Sequence, residues 1–198
     1  GGVSFDPAQH ALAERMDGLV RELADSPPTA RPGPFGRLFA PKPKAVRGLY
    51  VHGAVGRGKT MLMDAFFAVT PPVRKRRTHF HAFMADVHDR IHAAREASRN
   101  GGKGSADPIA PVAAAIAEET RLLCLDEFAI EDIADAMILS RLFEALFAKG
   151  LVLVATSNAA PEQLYRDGLN RGLFVPFIAV LREHVDVVEL GARTDYRL

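Results

Sequence analysis

The chain has 198 residues, 48% hydrophobic and 25% charged, the proportions of a globular domain with one real core. Lys and Arg number 25 against 24 Asp and Glu, so the net charge is +1 and bulk charge does not hold the chain to nucleic acid. The single cysteine, Cys124, excludes an internal disulfide framework and a Cys-rich zinc finger.

Asp6-Pro7 opens the first expected helix, with Leu12, Met16, Leu19 and Leu23 recurring at helical spacing. Ser26-Pro27-Pro28 stops it. Residues 26–45 hold six prolines and read as an extended connector, so the expected division is 1–45 for helix and connector and 46–198 for the rest. From Gly48 onward, short apolar runs alternate with helical stretches. Strands are expected at Leu49-Tyr50-Val51, Thr78–His81, Leu122–Leu125, Leu151–Val154 and Val185–Val188. Helices are expected near 59–68, 83–98, 108–120, 132–148, 161–167 and 174–183. This alternation predicts an α/β fold with a mainly parallel five-stranded sheet flanked by helices, preceded by an N-terminal helix. No apolar run approaches the roughly 18 residues that span a bilayer. With one free cysteine and no signal-like pattern in Gly1–Phe5, a reducing, cytoplasmic setting is expected.

Gly53-Ala54-Val55-Gly56-Arg57-Gly58-Lys59-Thr60 matches G-x-x-x-x-G-K-[ST] at every fixed place. It lies between an expected strand and an expected helix that Met61 continues. Glycines let backbone N–H groups turn inward around phosphate oxygens, and the helix N-terminus adds a favourable field. The stretch Gly53 to Met61 is therefore the expected nucleotide-binding segment for ATP. Lys59 would reach the β- and γ-phosphates, and Thr60 would place its hydroxyl on Mg²⁺.

A second signal is Arg121-Leu122-Leu123-Cys124-Leu125-Asp126-Glu127, a buried strand ending in two carboxylates. In an open parallel sheet, ligands bind outside the carboxyl ends of the strands. Asp126 is the expected Mg²⁺ ligand and Glu127 the group that orients or deprotonates water; the bland alternative is a turn-capping pair. Asn158, past the strand ending Thr156-Ser157, is the expected hydrogen-bond sensor, with a helix N-cap as its alternative. Arg166, Arg171 and Arg182 are candidates for an arginine supplied to a neighbouring copy. Arg171 is favoured because it lies between two helices, where it could project from the surface.

Other groupings carry less. His88 and His92 share a helical face, but Asp89 stands where a metalloprotease helix has Glu. His79 and His81 add no third ligand. Arg74-Lys75-Arg76-Arg77 could touch anionic lipid or nucleic acid, or be a solvated approach to an edge strand. Phe83-Met84 could face a ring pore or lie in the core, and Cys124 reads as core.

The ordered set Gly48–Thr60, His79-Phe80-His81-Ala82-Phe83-Met84, Cys124-Leu125-Asp126-Glu127-Phe128, Asp132–Met137, Ala155-Thr156-Ser157-Asn158, Leu164–Arg171 and Asp195-Tyr196-Arg197-Leu198 resembles the ZapE cell-division ATPases and their mitochondrial AFG1-like relatives. The resemblance covers essentially the whole chain. It implies an AAA+ P-loop core that hydrolyses ATP with Mg²⁺ and assembles as a ring with itself. Lys59, Thr60, Asp126, Glu127 and Asn158 fall in the family's motifs, and Arg171 falls where the family would place a finger arginine. It further implies a protein client, associated in bacteria with the tubulin-like division ring, with peripheral inner-membrane contact or a mitochondrial setting as further implications. Family members continue past Leu198 into a helical lid, so the resemblance implies a core without its lid and weak hydrolysis. Two other readings stay open: a nucleotide-gated interaction module with little turnover, docking through its N-terminal helix and connector, and a nucleic-acid motor or loader using the charges at 74–77.

Overall fold

Strands that are apolar on both faces leave no side for water, so the chain buries them between two layers of helices. The computed structural model describes residues 7–25, 46–54, 58–99 and 107–191. The connector 26–45, the Asn100–Ser105 segment, residues 55–57 and Asp195–Leu198 lie outside the described residues, as does Asp6.

In chain order, the elements are α1 (Pro7–Asp25), β1 (Gly48–His52), α2 (Lys59–Val69), β2 (Lys75–His79), α3 (Phe80–Arg99), α4 (Ile109–Glu119), β3 (Leu122–Asp126), α5 (Ile133–Ala148), β4 (Val152–Ser157), α6 (Val175–His184) and β5 (Val185–Glu189). Two 3-10 turns, Pro161–Gln163 and Arg171–Leu173, lie between β4 and α6. The sheet order is β2-β3-β4-β1-β5, and all its pairs are parallel. The expected architecture is thus present, with every strand parallel.

The two-residue period of the strands sorts their side chains between the layers. Leu49, Val51, Leu122, Cys124, Val152 and Val154 share a cluster with Leu12, Met16, Leu19 and Leu23 of α1 and Met63 and Phe66 of α2. Tyr50, Leu123, Leu125, Leu153 and Ala155 join the other cluster with α3, α4, α5 and α6. There Phe80, Phe83, Phe128, Phe143, Phe174 and Phe177 are fully buried, each contributing on the order of 2–3 kcal/mol through area removed from water. Phe83 and Met84 are therefore core residues. Burial pushes the Cys124 thiol up to about 12, so it is a packed, inert group.

Two local expectations are corrected. The second strand is Lys75–His79, not Thr78–His81, and Phe80 already begins a helix. Phe80, Phe83, Met84, Val87 and Ile91 recur at helical spacing and are all buried, so the stripe starts one turn earlier than the His-Phe-His alternation implied. The basic run is therefore largely the edge strand itself. The expected helix at 161–167 is one 3-10 helix followed by a turn over 164–167, because Leu164 and Tyr165 both turn inward, and Tyr165 has φ 52°.

α1 contributes its apolar stripe to the core, and Arg15 Nε donates to Asp186 Oδ2 of β5 at 2.7 Å. Arg47 donates to Asp186 Oδ1 at 2.8 Å and caps the carbonyls of Arg182, Glu183 and Val185 at the turn from α6 into β5. No helix among the described residues is long and apolar enough to cross a membrane.

Leu19 is fully buried in this layer, so Leu19→Ala is expected to lower the free energy of urea unfolding by about 3 kcal/mol. Separately, burial alone would raise the Asp186 carboxyl, but hydrogen bonds from Arg47 and Arg15 outweigh it and hold it below the usual carboxylate range. That stabilisation is present above pH ~4 and is lost as pH falls through the depressed value. Asp186→Asn is expected to cost about 1 kcal/mol near neutrality, since the group is partly exposed, and to flatten the acid side of the stability–pH curve.

Candidate functional site

Because every strand is parallel, all their C-terminal ends lie along one edge. Register sets His52 of β1 beside Ser157 of β4, and Asp126 of β3 beside His79 of β2. β4 lies between β1 and β3, so the glycine loop and the acidic pair stand about 10 Å apart across one strand. The motifs found separately in sequence therefore meet on one rim.

At the β1 end, Gly53 has φ 151°, and a Cβ there would meet the Leu190 carbonyl oxygen at 2.4 Å. Only glycine allows that approach to the chain leaving β5, whose Leu190 N–H bonds the His52 carbonyl at 2.7 Å. Gly58, at φ 78°, caps α2 in the left-handed region, again a glycine conformation. Lys59 Nζ donates to the carbonyls of Gly53 at 2.6 Å and Ala54 at 2.9 Å, folding over the loop entrance. Ala54, Thr60 and Met61 are exposed. Val55, Gly56 and Arg57 lie outside the described residues.

At the β3 end, Asp126 is buried, with 8% exposure. Its Oδ2 accepts from Arg77 Nε at 2.7 Å, and its Oδ1 lies 3.5 Å from the Thr156 hydroxyl. Glu127 follows at φ 56°, a left-handed backbone that costs a non-glycine residue about 1–3 kcal/mol. The cause is its two neighbours. Asp126 ends the strand, while the Phe128 ring is locked among Phe80, Tyr50 and Phe177, and its N–H bonds the Thr156 carbonyl at 2.7 Å. Glu127 bridges these fixed points, and its side chain is left 76% exposed above the rim, 3.9 Å from His79 Nδ1. A carboxylate so presented can act on a water at the rim.

At the tip of β4, Thr156 Oγ1 accepts the Glu127 N–H at 3.3 Å, and Ser157 Oγ donates to the Phe128 carbonyl at 2.7 Å. Both are buried polar groups that brace the acidic turn. Asn158 follows them, exposed at the same edge. Tyr50 donates its hydroxyl to the Ala159 carbonyl at 2.9 Å, and burial pushes its pKa up.

The favoured arginine does not project freely. Arg171 turns back and donates to the Glu162 carbonyl at 2.6 Å, and Arg182 pairs with the Glu162 carboxylate. One residue thus engages both candidates. Arg166 is exposed on a turn. The histidines disperse: His88 pairs with Asp135 at 2.7 Å, and His92 lies 3.8 Å from Glu96. No group of three metal-ligating side chains occurs among the described residues.

Sequence reasoning missed Arg77, Asp64 and Thr156. The run Arg74–Arg77 read as surface charge, but each member has an internal partner. Arg74 donates to the Glu118 carbonyl, Lys75 to those of Phe67 and Thr70, and Arg76 to Asp86 at 2.7 Å. Arg77 bridges Asp126 and Asp64 of α2. Burial alone would lower the Arg77 pKa, but its hydrogen bonds to the two carboxylates raise it. The available oxygen donors, the Asp126 carboxylate and the Thr60 hydroxyl, are those a hard divalent cation such as Mg²⁺ takes. A cationic group already seated on Asp126 shows that this carboxylate accepts positive charge.

The chain matches the AFG1-like ATPase family over residues 1–198. It is similar to "Lactation elevated protein 1 homolog B" of Danio rerio, 54% identical over 159 residues, covering 79% of this chain and 32% of the relative. It is also similar to "Cell division protein ZapE" of Escherichia coli K12, 43% identical over 202 residues, covering 98% of this chain and 52% of the relative. The chain thus spans about a third to a half of these relatives' lengths. Among solved structures, DnaI superposes with a TM-score of 0.62 at 16% identity, covering 98% of this chain and 86% of that one. Domain III of the Thermotoga maritima replication initiation protein DnaA gives 0.58 at 15% identity, covering 94% and 64%. These two likenesses show the shared P-loop fold.

Thr156→Val is expected to lower stability by about 1–2 kcal/mol in urea unfolding, because it leaves the partly buried Glu127 N–H without its acceptor. Thr156→Ser is expected to keep most of that loss from appearing.

Proposed function

The chain belongs to the AFG1-like ATPase family, and on that premise we propose that it binds ATP with Mg²⁺ along the C-terminal edge of its sheet and hydrolyses it to ADP and phosphate. The observation that carries the reading is one shared rim. The cap of α2, with Lys59 drawn over the loop carbonyls, stands one strand away from the buried Asp126 and the raised Glu127.

In this reading, the loop amides and the α2 N-terminus receive the phosphates. Lys59 exchanges two carbonyl partners for phosphate oxygens, so it binds without crossing the site. Thr60 and Asp126 would hold Mg²⁺, which offsets charge on the phosphates when bound. Glu127 accepts a proton from water, and its strained backbone keeps the carboxylate at the rim. Asn158 bonds that water or the terminal phosphate.

Self-assembly with a neighbour's Arg171 completing the site is part of the proposal. It requires Arg171 to leave the Glu162 carbonyl, an exchange of one hydrogen bond for charge-assisted ones. A protein client is proposed by likeness to the relative named for cell division. The internal partners of residues 74–77 count against a nucleic-acid or lipid role for that run, and the burial of α1 counts against docking through its apolar face.

Glu127→Gln is expected to keep ATP binding in calorimetry and to lower phosphate release at least 100-fold. Lys59→Ala is expected to weaken binding itself, at least ten-fold in Kd. Equal turnover by Glu127→Gln and the parent chain would remove Glu127 from the mechanism.

A further inference from the structure

No motif points to Arg77, yet its side chain reaches the rim. Its strand, β2, is the sheet edge, and parallel register puts Arg77 opposite Cys124, two residues before Asp126. From there Nε reaches Asp126 Oδ2 at 2.7 Å, and Nη1 meets Asp64 Oδ1 of α2. The Arg77 side chain is 20% exposed, that of Asp126 11%, and that of Asp64 63%. Asp64 lies four residues after Thr60, on the same face of α2. One guanidinium therefore ties together the two elements that carry the expected cation donors, Thr60 and Asp126. The fork geometry of arginine suits this, since two different N–H groups serve two carboxylates.

We propose that Arg77 is a built-in counter-ion of the metal carboxylate, competing with Mg²⁺ for Asp126 and retained by Asp64 when Mg²⁺ takes its place. The inference deepens the nucleotide-hydrolase reading and rests on it. A carboxylate this buried is costly without a cation, and Arg77 supplies one. Among the described residues, its remaining oxygen has a long contact with Thr156, at 3.5 Å. A second cation arriving at the same carboxylate must share it with, or displace, the first. Asp64 decides how easily that happens. Held by two acids, the guanidinium can lean on the exposed one and yield the buried one. Arg77 thereby links occupancy of the cation site to the helix that begins at the phosphate loop.

Charge competition and mere scaffolding predict different signs. If Arg77 only braces the rim, loss of Arg77 and loss of Asp64 both loosen the cation site. If it competes, they act in opposite directions.

The test titrates Mg²⁺ into the 1–198 chain with a fixed concentration of fluorescent ADP analogue, starting in EDTA, and reads the Mg²⁺ concentration at half-saturation. Arg77→Gln, which removes the charge but keeps a donor, is expected to lower that concentration about five-fold. Asp64→Asn is expected to raise it about two- to five-fold, because the guanidinium then depends on Asp126 alone. Arg77→Lys, which keeps the charge but lacks the fork that serves both carboxylates, is expected to give a midpoint between those of Arg77→Gln and the parent chain. In EDTA without nucleotide, Arg77→Gln should melt lower than the parent, and Mg²⁺ with ADP should restore it by a larger shift. An unchanged or raised midpoint for Arg77→Gln, or shifts of the same sign in both variants, overturns the proposal while nucleotide binding stands. If Arg77→Gln does not fold, a midpoint for Asp64→Asn that fails to rise overturns it. A parent chain that takes up no analogue at any Mg²⁺ concentration overturns both readings.

Discussion

Parallel pairing of β1, β4 and β3 is the constraint on which the site depends. Hydrogen-bonded parallel strands cannot end on opposite sides of the sheet, so the glycine loop, the acidic pair and the Thr156–Asn158 tip share one rim. With β4 between them, loop and carboxylates are separated by about two strand spacings. Under the proposed function, phosphates held at the loop and a cation held at Asp126 would span that distance. Fold and chemistry meet at this point, because the crossover helices that force the strands parallel are also the layers that keep the rim's base dry.

Two positive side chains at the rim have internal partners. Lys59 rests on two loop carbonyls, and Arg77 rests on Asp126 and Asp64. Under the proposed binding of ATP with Mg²⁺, both positive groups would exchange partners on ligand uptake. Glu127 differs. Its carboxylate is left to solvent while its backbone is strained, and buried neighbours on both sides maintain that strain. Thr156 meets Asp126 and Glu127 through its hydroxyl and Phe128 through its carbonyl, which makes the tip of β4 the brace of the acidic turn.

The two faces of the sheet are covered unequally. Four helices and six fully buried phenylalanines pack one side, while α1 and α2 cover the other. α2 also begins at the phosphate loop, so the thinner layer is the one coupled to the site. The Asp186 pairs with Arg15 and Arg47 join that layer to the edge strand β5. Since Leu190, at the end of β5, presses its carbonyl on Gly53, the N-terminal helix is connected to the loop through two short steps.

Local pattern determined much of this protein. The phosphate loop, the carboxylates after an apolar strand, the strand–helix alternation and the α1 stripe are short-range features, each decided within one or two turns of chain. At the start of α3, His79-Phe80-His81 alternates like a strand while Phe80, Phe83 and Val87 space like a helix; burial of the helical set decides between them. What only the tertiary structure decided are contacts between distant segments. Arg77 meets Asp126 across 49 positions, and Thr156 meets it across 30. Those pairs depend on strand order and register, which no local periodicity encodes. Arg171 shows the same limit: an arginine after a turn looks free in sequence, and only the return of the chain past Glu162 gives it a partner.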